Sequence, residues 1–277
     1  MSMVRHEIPI LEYDDNPVAV LEPNHERLNL KLPEKAVFAF LYDAVDVYAE
    51  EHSVNSGAKC PGVSPRADAY AKAYGGNVVA EFDSSTKKYP IYVVEYRGEE
   101  ICMVQAPVGA AAATQILDWL ISYGVKKVIS AGSCGTLTDR EENVFLVPIR
   151  ALRDEGTSYH YLPPSRFVTM NPEAVSAIQK ALTANGLAYQ EVTTWSTDGF
   201  YRETAEKVRY RAEEGCAVVE MECAALAACA QFRHILWGEI LYTADSLANA
   251  EQHDERDWGE KSRFFALTLC LDAVINL

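Results

Sequence analysis

The sequence predicts an α/β protein: one main domain in which a mixed or mainly parallel sheet carries helices on both faces. Three observations support this. From residue 57 onward, short β-branched apolar runs alternate with helical patterns of about 10–14 residues. Turn residues punctuate the alternation at regular intervals, among them Gly98, Gly124, Gly186 and Gly215. The 277-residue length and 49% apolar content suit a single large core.

Residues 1–58 differ in character. Pro9, Pro17, Pro23 and Pro33 interrupt them, and Val37, Phe40, Leu41, Ala44, Val45 and Tyr48 recur at helical spacing over 33–52. They are expected to form an arm and a docking helix that contacts a neighbouring subunit, with the main domain spanning 59–277. In that domain, a turn with Gly62 leads to a helix near Pro65. Strands are expected at 89–96 and 100–105 around an Arg97-Gly98 turn, then a helix over 110–123. Next come a strand over 125–131, a strand over 144–150 and an irregular span over 154–169. A helix over 172–185 ends at Gly186. A strand over 188–195, a helix over 205–214, a buried strand over 216–219, a helix over 221–232, a strand over 235–243 and a closing helix over 263–275 complete the chain. No internal repeat or low-complexity tract appears.

The net charge of −15 and pI near 4.8 argue against nucleic acid or an anionic membrane as partner. No run of about 20 apolar residues is present, and acidic residues interrupt the apolar part of the N-terminus, so neither a membrane span nor a signal peptide is expected. The seven cysteines lie scattered in apolar runs, which points to reduced, buried thiols in a cytoplasmic protein. The six histidines lack HxH or HExxH spacing, and no metal site is expected. No GxGxxG or P-loop occurs, so neither a dinucleotide nor an ATP fold is indicated.

The stretch GVKKVISAGSCGTL, residues 124–137, reads as a strand emptying into the loop Gly132-Ser133-Cys134-Gly135. Such a loop at a sheet's carboxyl edge offers backbone N–H groups and a hydroxyl to an anion. Cys134 lacks a histidine partner in sequence and is not expected to be a nucleophile. In PGVSPR, Arg66 lies near the Gly62 turn, and its donor fork suits a phosphate, although taken alone a surface arginine at a helix start is the commoner explanation. Lys87 reads alone as part of a solvated pair with Lys88. Glu220-Met221-Glu222 sits where a buried strand turns into a helix. There Glu222 is expected to stay ionised and to accept both hydroxyls of a ribose, unless it merely starts the helix. Asp245 follows the run LWGEILYTA, where α/β sheets place ligand-facing groups; it reads as a proton donor or as a turn cap.

Taken in order, GVKKVISAGSCGTL, PGVSPR, TDGFY, VVEMECAALAACA and LYTADS resemble the nucleoside phosphorylase family of purine nucleoside and uridine phosphorylases over residues 59–275. The resemblance implies the family's fold, with a partly barrel-like central sheet, and a homotrimer or homohexamer with active sites at subunit interfaces. The implied reaction is reversible phosphorolysis, giving free base and ribose 1-phosphate, with inorganic phosphate as co-substrate and no cofactor.

Residue by residue, the resemblance implies that Gly62, Arg66 and Ser133 contact phosphate. Lys87 falls where the family has an arginine from a neighbouring subunit. Glu222 would hold the ribose with Met221 packed on the sugar, Phe200 and Glu220 would face the base, and Asp245 would protonate a purine at N7 with Arg256 as a candidate partner. Two departures stand out: Val63 replaces the turn's usual Asp, and Ser130 stands where the strand usually carries a phosphate-binding arginine. The positions that read uracil are Thr204 and Glu206, so purine is favoured over uridine. A phosphate-independent nucleosidase and a catalytically silent nucleoside-binding protein remain alternatives.

Overall fold

The computed structural model describes residues 3–52 and 78–277. Gly62, Arg66, Cys60 and the helix expected near Pro65 lie outside the described residues. Ten strands form one mixed sheet: β1 (Lys35–Ala39), β2 (Val78–Asp83), β3 (Lys88–Tyr96), β4 (Glu99–Gln105), β5 (Lys127–Thr136), β6 (Phe145–Asp154), β7 (Phe167–Thr169), β8 (Gln190–Thr197), β9 (Cys216–Glu220) and β10 (Leu236–Ser246). Six α-helices accompany them among the described residues: α1 (Ala44–Glu51), α2 (Ala110–Ser122), α3 (Pro172–Ala184), α4 (Ala205–Glu213), α5 (Cys223–Phe232) and α6 (Arg263–Val274). Helices α1, α3 and α6 build the core on one face and α2 and α5 build it on the other.

Strand β5 organises the sheet. Along one edge it pairs in parallel with β10, from Lys127↔Leu236 to Thr136↔Ser246. Along the other edge it pairs first with β1, up to Ile129↔Val37, and later with antiparallel β9 at Gly135↔Val219 and Thr136↔Val218. The pairings β5–β10, β10–β6, β6–β8, β8–β9 and β9–β5 close a ring of five strands, while β1, β4, β3 and β2 continue as an open wing. The sheet is therefore barrel-like on one side only. Between the point where β1 leaves β5 and the point where β9 joins it, residues 132–134 border a gap. Such a divergence of neighbouring strands is where open α/β sheets form ligand crevices.

Two expectations are corrected here. The helix expected over 33–52 divides into a strand and a shorter helix. Ala36, Val37, Phe38 and Ala39 are completely buried and pair in parallel with β4 on one side and β5 on the other. A run buried on both faces is apolar at every position, so it satisfies a helical template and a strand template equally. Residues 35–51 thus belong to the sheet body rather than to an arm. The glycine-bracketed loop is also strand: β5 runs through Gly132, Ser133, Cys134 and Gly135 to Thr136, with β10 alongside.

Strand β2 was absent from the sequence reading. It completes an antiparallel wing with β3 and β4, joined by a turn at Arg97 and Gly98 with φ of 50° and 84°. Positive φ at both central residues is what a two-residue turn between twisted strands requires. Before β1, the chain is laid along the body by few bonds. The Leu32 N–H donates to the Tyr123 carbonyl (2.8 Å), and Arg233 donates to the Pro17 carbonyl (3.0 Å). No helix among the described residues is long and apolar enough to cross a membrane.

Candidate active site

A pocket of about 460 Å³ opens at the gap beside β5. Its floor is Gly132, Ser133, Cys134 and Gly135 of β5. Phe40 and Tyr42 enter from the end of β1, Gln105 from β4, Val219 to Glu222 from the β9–α5 junction, and Glu239, Leu241 and Asp245 from β10. Phe200, Glu203 and Trp258 stand at the mouth. Five carboxyl groups line the pocket and, among its described lining residues, there is no lysine or arginine.

The β9–α5 junction concentrates two of these carboxyls. Glu220 is buried at the end of β9. Its Oε1 accepts from Thr194 Oγ1 (3.0 Å) and Ser196 Oγ (2.6 Å), and its Oε2 accepts from the Glu222 and Cys223 N–H groups (2.6 Å each). Glu220 thus satisfies the first amides of α5 and ties the helix to β8. All four acceptor positions are occupied, so its expected role in facing the base is corrected to that of a structural anchor.

Glu222 occupies the N-cap of α5, and its Oε1 accepts from the Gly109 N–H at the start of α2. Its expected ionisation is also corrected. Burial, then the Glu220 charge, push its carboxyl up to about 8, against the Gly109 and Met221 N–H groups that favour the anion. The helix N-terminus is outweighed because removal from water costs a carboxylate more than one helix end returns. Glu222 is therefore mostly a neutral acid at pH 7, able both to donate and to accept. That still suits a pair of sugar hydroxyls.

Asp245 ends β10 as expected, but its partner is not Arg256. His253 Nε2 lies 2.8 Å from Asp245 Oδ2. Arg256 instead donates to the Arg140 carbonyl (2.8 Å) and to Asp254 (3.3 Å). A short bridge, Ser246↔Asp254, folds the following loop back on β10 and thereby delivers His253. Sequence spacing missed this return because it is a loop closure. Glu203 also escaped the sequence reading. Burial first, then Asp245, raise its carboxyl to about 7, while His253 and Lys207 oppose the rise.

The structure brings Ser133, Phe200, Met221, Glu222 and Asp245 to one pocket. It leaves out Lys87, an exposed residue of the β2–β3 turn with its Nζ 5.1 Å from the Tyr89 ring centre. Ser130 is fully buried, and its Oγ accepts from Trp237 Nε1 (3.0 Å). Cys134 donates to the Tyr242 carbonyl (3.5 Å), and burial holds its thiol well above the ordinary range, so it offers no thiolate. The other five described cysteines are likewise free and buried, and no cluster of metal-binding side chains occurs among the described residues.

A strand-bordered crevice with an acid at a strand end, a second carboxyl at a helix start and an aromatic rim has the features of a small-molecule α/β enzyme site. Residues 61–274 match the model of the phosphorylase superfamily, and the chain belongs to that family of nucleoside phosphorylases and nucleosidases. It is 26% identical to the guanosine phosphorylase of Halorubrum lacusprofundi over 73% of this chain and 83% of that one. It is 27% identical to a DeoD-type purine nucleoside phosphorylase of Aliivibrio fischeri over 78% of this chain and 91% of that one. The fold is shared with uridine phosphorylase from Vibrio fischeri (TM-score 0.70, 19% identity, 93% and 95% covered). It is also shared with an AMP nucleosidase from Bacteroides thetaiotaomicron (TM-score 0.62, 23% identity, 88% of each chain).

Proposed function

We propose that this protein cleaves the N-glycosidic bond of purine nucleosides. The observation that carries the proposal is the placement of Glu222 and Asp245 in one pocket rimmed by Phe200. Glu222 holds the ribose hydroxyls with Met221 against the sugar, Phe200 stacks on the base, and Asp245, held by His253, delivers a proton to the leaving purine at N7. Protonating the leaving group lowers the cost of an oxocarbenium-like transition state, and a positioned acid typically contributes about 10²–10⁴-fold.

The acidic lining favours water as the acceptor of the ribosyl group. A phosphate dianion would enter among Glu203, Glu220, Glu222, Glu239 and Asp245 and meet no described cation there. Glu222, Glu203 and Glu239 have raised proton affinities, so the lining carries less negative charge than its composition suggests, but it presents no described cation to offset the cost of taking a phosphate dianion out of water. Ser130, turned to Trp237, offers nothing to offset that cost.

Phosphorolysis, with ribose 1-phosphate as product, is the second reading. The phosphorylases among the relatives favour it, as does the exposed Ser133 on the pocket floor. It needs Arg66, or Lys87 from a second copy in a trimer or hexamer, to supply the positive charge.

Base release from inosine, adenosine and uridine with and without inorganic phosphate tests both. Release that ignores phosphate supports hydrolysis, and release that requires phosphate establishes phosphorolysis. Binding without release from any of the three would show a silent binding protein and defeat both.

A further inference from the structure

We propose that Glu239 holds and deprotonates the water that attacks the sugar; the inference rests on the hydrolytic reading above. Glu239 is an acidic residue in the middle of the apolar strand β10, and among the described residues no cation pairs with it. It is 2% exposed, it lines the pocket, and its Oε2 is buried without a hydrogen-bond partner. Leaving such an oxygen unpaired costs about 1–3 kcal/mol or more, so a water or ligand atom placed there would be stabilised. Beside the other oxygen there is also room: a methyl group built on Gly132 would lie at ordinary contact distances, 3.7 Å from Glu239 Oε1 and 3.5 Å from Phe40 Cβ, so the glycine leaves a space of about methyl size next to the carboxyl.

The rest of the surroundings fits a base and not an ion pair. Among the described residues, Glu220 on β9, Glu222 ahead of α5, Cys223 on α5, Cys134 on β5 and Cys270 on α6 are the titratable groups facing Glu239. The Cys223 thiol donates to the Glu239 carboxyl, and none of the five is a cation. Burial, then the charges of Glu220 and Glu222, raise the carboxyl well above the ordinary range. A raised carboxyl holds an accepted proton more tightly than an ordinary glutamate does and acts as the base in its ionised fraction, so activity should climb with pH.

The step balances as a hydrolysis. The water oxygen forms a bond to C1′ as the C1′–N bond breaks, and its electron pair passes to the base. One water proton goes to Glu239, and the departing purine receives a proton through Asp245. The products are free base and ribose, and solvent exchange restores both carboxyls.

The test uses the full chain, inosine as substrate and phosphate-free buffer. Glu239→Gln keeps the shape and is expected to lower kcat by about 10²–10³-fold with KM within threefold. Wild-type kcat is expected to rise with pH through a limb that Glu239→Gln lacks. Glu239→Ala is expected to regain at least about tenfold on adding formate, since a small carboxylate can take the vacated base position. Three outcomes overturn the inference: a Glu239→Gln enzyme within threefold of wild type, an unchanged pH limb, or a loss that formate leaves untouched. Hydrolysis by wild type with unaltered Glu239→Gln defeats this inference alone. A wild type that releases base only with phosphate defeats the hydrolytic reading and the inference together.

Discussion

Replacing Glu222 by Gln should stabilise the protein, and by more as the pH rises. The carboxyl titrates at 4.5 as an ordinary glutamate and at about 8 in the folded chain, chiefly through burial. Between these values the unfolded chain has released the proton and the folded chain still holds it. The native state therefore binds more protons, and its stability falls as pH rises through that window. Each tenfold difference in proton affinity corresponds to about 1.4 kcal/mol, so raising the pH from 5 to 7 should cost the wild type roughly 2–3 kcal/mol. Gln at 222 still accepts from the Gly109 N–H and carries no titration, so the variant should lose that pH dependence. Urea unfolding followed by tryptophan fluorescence at pH 5, 6 and 7 measures the difference. On thermal melts it amounts to about 5–10 °C, for a domain of this size. Parallel stability–pH curves for the two proteins would refute the reasoning and return Glu222 to the ionised state that its helix position alone suggests.

Three further outcomes follow from the same geometry. Asp245→Asn should lower kcat by about 10²–10⁴-fold with a small change in KM, read by base release; comparable activity would remove Asp245 from proton delivery. Glu203→Gln should delete a titration near pH 7 from the kcat/KM profile, because the Glu203 carboxyl is raised to about 7 beside Asp245; an identical profile would show that Glu203 is silent in turnover. Gly135→Ala would set a methyl 2.8 Å from Leu247 Cδ1 and 3.2 Å from Asp245 Oδ1. Crowding of that kind costs about 1–3 kcal/mol, and urea unfolding together with a fall in kcat/KM would register it.

Much of the fold was legible because its signals are local. The helix over Pro172–Ala184 announces itself with Asn171, whose side chain accepts from the Glu173 and Ala174 N–H groups, and stops before Gly186 at φ 70°. The hairpin at Arg97-Gly98 is similarly local. Strand β1 was not legible, because Ala36 to Phe38 are buried on both faces and their periodicity vanishes. The pocket shows the same division. Phe200, Met221, Glu222 and Asp245 sit at strand ends or element junctions, which sequence order exposes, and Ser133 is marked by the glycines around it although it lies inside β5. His253 arrives through a loop that doubles back, and Glu203 gains its raised proton affinity only from neighbours brought near by folding. Glu239 did leave a trace, a single acid inside LWGEILYTA, which an apolar strand does not otherwise tolerate.

The five-strand ring closes unevenly. Strand β5 shares a long ladder with β10, yet meets β9 through only Gly135↔Val219 and Thr136↔Val218. That short stretch works as a clasp beside the pocket floor, with the Leu137 N–H to Ala217 carbonyl bond (2.9 Å) as its last link. Glu220 and Glu222 follow directly on the β9 side of the clasp, and Ser133 precedes it on the β5 side. A small parting there would separate Glu222 from the pocket floor while the long β5–β10 and β6–β8 ladders stayed intact. This two-pair joint thus sets the spacing between Glu222 and the pocket floor.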